Sequence, residues 1–257
     1  MRYNEKSTKL IDAHCHLYSL SGIEDAILSA CDAGVSKAIV VTEDLDTMEK
    51  TLRLRDKFPE FVLPGLGIHP VNLLKMNDSE WERSFAFLKR HAHEISCIGE
   101  IGLDYKYAKT AEEQDRQIRA LHAQMDVASE NNLPVNLHSR RALRQTMDEA
   151  VSFHKKTGLN ALMHWFAHSK KLLRITNENG IFVSVGPSIL FSEESMNLAF
   201  SVDPDLILLE TDTPVCYSGK PSSPAWVAKV ADKLIADYPE NALSKEKLSE
   251  NTLRYLS

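Results

Sequence analysis

The chain has 257 residues, 43% hydrophobic and 26% charged, with 30 Lys and Arg against 36 Asp and Glu for a formal net charge of −6. This is the makeup of a folded globular chain. It excludes intrinsic disorder, and no apolar run approaches the roughly 18 residues that span a bilayer. The length fits two small domains or one α/β barrel of about 250 residues. The acidity argues against bulk-charge binding of long nucleic acid and leaves room for a local basic mouth. The polar start, Met1–Lys9, lacks the apolar segment of a secretory signal. The cysteines Cys15, Cys31, Cys97 and Cys216 have no C-x-x-C spacing, so a reducing cytoplasm is the expected setting.

Short, continuously apolar runs alternate with longer stretches of helical spacing. The first run, Leu10–Ala13, leads into His14-Cys15-His16, and the second, Lys37–Thr42, follows an Ala33-Gly34 turn. The third, Phe61–Ile68, ends in His69. Ser79 and Glu82 have the spacing of a capping box and open a stripe of Trp81, Phe85 and Leu88. The fourth run, Ser96–Ile101, carries Glu100, and Ile118, Leu121, Met125 and Ala128 form a second stripe. The fifth, Pro134–Leu137, ends at His138; the sixth, Asn160–Met163, ends at His164. The seventh is Ile181–Val185. The eighth, Leu206–Leu209, runs into Glu210-Thr211-Asp212, and Trp226, Val230 and Leu234 form a third stripe. Runs that are apolar throughout are expected for strands covered on both faces. Eight of them with helices between predict a single-domain α/β fold, a (β/α)8 TIM barrel over residues 1–257 with its core at about 9–255. A doubly wound sheet is the alternative.

Residues two apart on a strand share a face, so His14 and His16 point the same way and Cys15 points outward to the helix layer. In a barrel the C-terminal strand ends converge on one mouth. His14, His16, His69, Glu100, His138, His164 and Asp212 would meet there, and imidazoles with carboxylates are the donors of a divalent metal site. A lone histidine at a strand end is ordinarily a packed or surface group; recurrence at strand after strand points to ligation. His91, His93, His122 and His154 fall in helical stretches and read as solvated or packing groups. His69 reads as a substrate contact or a support for the ligands, and His168, after the sixth run, as equally a mouth or a loop residue. Cys97 reads as core and Cys216 as exposed, with no His-Cys spacing for a nucleophile.

Several segments, in order, resemble the TatD family of metal-dependent hydrolases within the amidohydrolase superfamily. They are Ile11-Asp12-Ala13-His14-Cys15-His16-Leu17, Gly67-Ile68-His69-Pro70, Ile98-Gly99-Glu100-Ile101-Gly102-Leu103-Asp104-Tyr105, Leu133-Pro134-Val135-Asn136-Leu137-His138-Ser139-Arg140, Met163-His164-Trp165-Phe166 and Leu209-Glu210-Thr211-Asp212-Thr213-Pro214. The Gly-Glu-Ile-Gly-Leu-Asp-Tyr and Glu-Thr-Asp-x-Pro segments are the specific ones; His-x-His marks the whole superfamily. The resemblance implies a TIM barrel with two divalent ions, Mg²⁺, Mn²⁺ or Zn²⁺. It places the first among His14, His16, Glu100 and Asp212 and the second among Glu100, His138 and His164, with Glu100 bridging. It also implies hydrolysis of DNA, with 3′ to 5′ exonuclease action. Two metals can generate hydroxide from water and clamp phosphodiester oxygens. Asp212 is then the implied proton acceptor, Glu210 a support behind the ligands and Arg140 a phosphate contact. Arg141 reads equally as the exposed start of a helix. Three positions depart from the family pattern. Val71 stands where His often follows Gly-Ile-His-Pro, and His168 where a Gly is usual. Lys220-Pro221-Ser222-Ser223-Pro224 replaces a basic-Asn-x-Pro stretch. All three fall in expected mouth loops and bear on substrate choice. The expectation is a cytoplasmic, monomeric deoxyribonuclease, off the membrane, that acts on single-stranded DNA ends. An amidase, lactonase or deacylase of small molecules is one alternative; a barrel that binds without catalysis is another.

Overall fold

Eight parallel strands stand side by side in chain order, each hydrogen-bonded to the next. They are β1 (Leu10–Cys15), β2 (Val35–Val40), β3 (Val62–Leu66), β4 (Cys97–Asp104), β5 (Val135–Arg140), β6 (Ala161–Met163), β7 (Phe182–Val185) and β8 (Ile207–Leu209). The structure is a computed structural model that describes residues 9–165, 170–238 and 243–257; His168 lies outside the described residues. The helices are α1 (Ile23–Asp32), α2 (Leu45–Lys57), α3 (Pro70–Leu73), α4 (Asp78–His91), α5 (Ala111–Glu130), α6 (Leu143–Thr157), α7 (Lys170–Asn179), α8 (Glu193–Ala199), α9 (Trp226–Asp237) and α10 (Lys245–Tyr255). A short hairpin, β9 (Cys216–Tyr217) and β10 (Lys220–Pro221), follows β8. This is the TIM barrel, and all eight apolar runs form its strands. No helix among the described residues is long and apolar enough to cross a membrane.

The barrel closes at its mouth. The Asp212 N–H donates to His14 O at 3.0 Å and the His16 N–H donates to Thr213 O at 2.8 Å, joining the segment after β8 to β1. Buried Asp12 reinforces the seam: its carboxylate accepts the Thr211 N–H at 3.1 Å and the Thr211 hydroxyl at 2.5 Å.

Two register shifts sit where the candidate ligands are. Between Ile98 and Ile101, β4 advances three residues while β5 advances two, from Val135 to Leu137. Between Asp12 and Cys15, β1 advances three while β2 advances two, from Ala38 to Val40. Such bulges re-aim a side chain beside active sites, and here they contain Glu100 and His14. Glycine makes the β4 bulge sterically feasible. A Cβ on Gly99 would stand 2.6 Å from Asn136 Cβ, and one on Gly102, at φ +145°, would stand 2.1 Å from His138 O.

Helix α4 starts earlier than the sequence indicates. Its capping box is Asn77 with Glu80, the Glu80 N–H donating to Asn77 Oδ1 at 3.0 Å and the Asn77 N–H to Glu80 Oε2 at 2.8 Å. Ser79 and Glu82, the pair expected from spacing, lie inside α4. Asn is as good a cap as Ser, and the earlier start places Asp78 and Glu80 in the first turn, where negative charge is favoured. The stripes pack as expected: Leu88, Leu121, Met125, Ala128, Val230 and Leu234 are buried. Cys15 and Cys97 are buried, and Cys31 and Cys216 are exposed; all four are free thiols.

Candidate metal centre

His14 is fully buried at the β1 bulge, and its tautomer is set by its neighbours. Asn136 Nδ2 donates to Ala13 O at 3.1 Å, which turns Asn136 Oδ1 toward the imidazole. His14 Nδ1–H donates to that oxygen at 2.9 Å. The lone pair of Nε2 therefore points into the barrel mouth. His16 is held in the same way: Tyr18 OH donates to Glu43 Oε2 at 3.3 Å and accepts from His16 Nδ1–H at 2.8 Å.

Both Nε2 atoms face the same two carboxylate oxygens. His14 Nε2 lies 3.7 Å from Glu100 Oε2 and 3.6 Å from Asp212 Oδ1. His16 Nε2 lies 3.4 Å from each. A tetrahedral cation with bonds of about 2.0–2.2 Å has ligand atoms about 3.3–3.6 Å apart. This donor set has that spacing. His14 Nε2 is buried with no hydrogen-bond partner, as a nitrogen built to bind a cation would be. The set fits a divalent metal.

The other Glu100 oxygen faces a second set. Oε1 lies 2.8 Å from His138 Nδ1 and 2.8 Å from His164 Nε2, and these nitrogens are 3.4 Å apart. His138 Nε2 pairs with Asp104 Oδ2 at 3.1 Å. His164 Nδ1 lies 3.7 Å from Glu210 Oε2 and is buried without a hydrogen-bond partner. Glu210 in turn accepts the Ser184 hydroxyl at 2.5 Å and the Trp165 N–H at 2.9 Å. This set has the separations of shared protons rather than of a tetrahedral cation.

The electrostatics agree. Among the described residues, no Lys or Arg pairs with Glu100, Asp104, Glu210 or Asp212; histidines are their only ion-pair partners. Burial works against charge on His16, but hydrogen bonds from it to Asp212 and Glu100 raise it to about 10. Burial likewise opposes charge on His164 and His138, and Glu100 with Glu210 or Asp104 raises both. Burial pushes Glu100 up, yet the charge of His164 and the hydrogen bonds of His138 and His16 hold it well below the carboxylate range. Burial lowers His14 to about 3. Protons on His16, His138 and His164 stand where a metal ion would, and metal binding to such ligands releases them.

His69 takes a different part. Its Nδ1 accepts the Val71 N–H at 3.1 Å at the start of α3, and burial lowers it to about 3. The ring is therefore neutral with its proton on Nε2, 3.6 Å from Glu100 Oε1. A protonated Nε2 is a donor, not a ligand. Arg140 ends β5 at the rim with an exposed side chain. Exposed Arg141 follows at φ +58°.

A sequence profile described as TatD related DNase matches residues 11–257. The chain belongs to the TatD family. It is 31% identical over 216 residues to a human protein named deoxyribonuclease TATDN3, covering 80% of this chain and 78% of that one. It is 29% identical to an uncharacterized metal-dependent hydrolase, YabD, of Bacillus subtilis, covering 88% and 89%. The crystal structure of the TatD homologue YJJV of Escherichia coli superimposes with a TM-score of 0.80 at 25% identity, covering 96% of both chains.

In this TatD barrel the fold brings together every residue singled out at the strand ends except Arg140, which stays at the rim. Asp104 and Asn136 belong to the site as well, and their signal was present: Asp104 lies two residues after Gly102 and Asn136 two before His138, each on the same strand face. Glu43 is one residue beyond the second apolar run. Tyr18 lies in a 3-10 turn (Leu17–Ser19), where strand alternation gives no signal. Of the other histidines, His122 pairs with Glu149, His154 with Leu159 O and His91 with Glu94, all away from the mouth.

Proposed function

We propose that this chain is a metal-dependent hydrolase that cleaves DNA phosphodiester bonds, working from the 3′ ends of single strands in the cytoplasm. The observation that carries this is Glu100, buried with one carboxylate oxygen toward each of two converging donor sets. On this proposal His14, His16, Glu100 and Asp212 hold one divalent cation, and Glu100, His138 and His164 hold a second. Imidazole-rich sets suit Zn²⁺, and carboxylates admit Mn²⁺ or Mg²⁺. When bound, the ions supply Lewis-acid polarisation of the scissile bond and ease deprotonation of water at neutral pH. Deoxyribonuclease names among the relatives support DNA as substrate. The end-directed, single-strand preference rests on the family resemblance and on the narrow mouth of an eight-stranded barrel. Free thiols on all four cysteines fit a reducing compartment.

The chain's own groups have distinct tasks. Burial raises the Asp212 carboxyl, but the hydrogen bond of His16 and the charges of His164 and His16 keep it below the usual range. It is therefore ionised at neutral pH and takes the proton of the attacking water. The water oxygen bonds to phosphorus, the P–O bond to the leaving nucleotide breaks, and that oxygen takes a proton from solvent. His69 Nε2–H donates to a phosphoryl oxygen, and Arg140 holds a phosphate at the rim. Glu210 orients His164 from behind.

Metal analysis after saturation with Zn²⁺ or Mn²⁺ tests the proposal. Two ions per wild-type chain are expected, with loss of both ions and of single-strand hydrolysis in Glu100→Ala. One ion per wild-type chain removes the bridging role. Turnover of lactone or amide probes with inert DNA replaces the nuclease by a small-molecule hydrolase.

A further inference from the structure

The rim of the mouth is divided by chemistry. After β6, β7 and β8 it carries aromatic rings. Trp165 directly follows His164, and its ring is 6.0 Å from that of Tyr217 in the β9–β10 hairpin. Tyr217 is 6.4 Å from Trp226, the first residue of α9, and Trp226 is 6.4 Å from Phe191, which follows β7. The two ends of this ladder are open to solvent, Trp165 at 40% and Phe191 at 53%, while Tyr217 in the middle is buried. Lys229 stands over Trp226, its Nζ 5.1 Å from the ring centre. After β5 the rim instead carries Arg140 and Arg141, both exposed and without an ion-pair partner among the described residues.

Trp165 is held in place by its backbone. It adopts φ +42°, a left-handed conformation that a bulky side chain rarely takes. Its N–H donates to Glu210 Oε1 at 2.9 Å and to Ser184 Oγ at 3.0 Å. A backbone held this way at a functional site positions the side chain. The cavity that Trp165 lines together with Ser184, Gly186 and Ile189 measures about 20 Å³, room for one water molecule. It is too small for a base, which therefore meets the solvent-exposed part of Trp165.

We infer that Trp165 and Phe191, the exposed ends of the Trp165–Tyr217–Trp226–Phe191 ladder, are stacking surfaces for unpaired nucleobases, with the buried Tyr217 ring packed beside Trp165 and the last base of the strand on Trp165 beside the metal centre. This deepens, and rests on, the nuclease proposal. A ligand that matches both arcs of the rim must offer flat rings to one and anions to the other, at regular spacing. A single strand of nucleic acid does so; in a duplex the ring faces are already covered by stacking. The phosphates then run toward Arg140 and Arg141.

Two oligodeoxynucleotides of equal length test this with the metal-loaded full chain, one intact and one with abasic tetrahydrofuran units at the cleaved end. Stacking predicts that wild type has a KM about ten-fold or more higher for the abasic strand. In Trp165→Ala the ratio of the two KM values falls toward one, and in Trp165→Phe most of it is retained. Phe191→Ala lowers the ratio less, because that ring is farther from the cleaved end. Far-ultraviolet circular dichroism confirms that each variant is folded. Equal KM values for the two strands in wild type, or an undiminished ratio in Trp165→Ala, overturns the platform while leaving the nuclease proposal standing. Hydrolysis of neither strand by wild type overturns the nuclease proposal and the platform with it.

Discussion

Asp212→Asn separates proton transfer from metal holding. Asp212 Oδ1 stands 3.6 Å from His14 Nε2 and 3.4 Å from His16 Nε2, and Asn keeps an oxygen at that place. The backbone there has φ +49°, a left-handed conformation that Asn and Asp adopt more readily than other side chains. Asn therefore adds no strain, whereas Ala would add about 1–2 kcal/mol and mix two effects. What Asn lacks is the negative charge and the capacity to accept a proton. A positioned proton acceptor is worth roughly 10²–10⁴-fold in rate, or about 3–5 kcal/mol of barrier. His14, His16 and Glu100 remain to hold the ion, so metal binding weakens but saturates. The expected result is turnover on single-stranded DNA lower by at least about 100-fold, still low at saturating metal, in a protein with near wild-type metal content and melting temperature. Recovery of near wild-type turnover on adding Zn²⁺ or Mn²⁺ alone would falsify the proton-acceptor role and leave Asp212 as a ligand only.

Tyr18→Phe removes the acceptor of His16 Nδ1–H. Calorimetric titration is expected to show metal affinity weaker by about 10–100-fold, with turnover retained at saturating metal; unchanged affinity makes the Tyr18–Glu43 relay incidental. Asp12→Ala strips the acceptor from two buried N–H groups, those of His14 and Thr211. Denaturant unfolding should show a loss of about 3 kcal/mol, at roughly 1–3 kcal/mol for each unsatisfied group. Asp12→Asn keeps that acceptor and removes a carboxyl whose pKa burial raises, so it should cost less than about 1 kcal/mol; equal losses refute this account of the seam. Burial holds His69 at about 3, below its ordinary 6.5. Its contribution to stability is thus fully present above 6.5 and is lost as pH falls toward 3. His69→Gln should flatten the acid limb of the stability profile of metal-free protein, and identical acid limbs contradict the assignment of a buried neutral imidazole.

Local pattern made the barrel legible. Eight apolar runs, each followed by a helical period, report burial on both faces, and burial depends on near neighbours in the chain. The same logic found His14 with His16, and Glu100, His138, His164 and Asp212 at strand ends, because every strand of such a barrel delivers its C-terminal end to one mouth. The capping pair was displaced by two residues because Asn77 and Ser79 both carry an acceptor, and only the packed helix chooses between them.

The rest depends on contacts between residues far apart in sequence. That Glu100 faces His16 with one oxygen and His164 with the other follows from bulges in β1 and β4, whose register is set by the neighbouring strands. The tautomer of His14 is decided by Asn136, 122 residues away, and the seam by Asp12 and Thr211, 199 residues apart. The aromatic ladder draws on three loops, with rings at positions 165, 191, 217 and 226 that share no periodicity. Sequence alone determined which histidines and carboxylates at the strand ends reach the mouth, since strand ends are local features. Tertiary structure decided which atoms of those groups face one another, since that is set by strand register and by hydrogen bonds across the closed barrel.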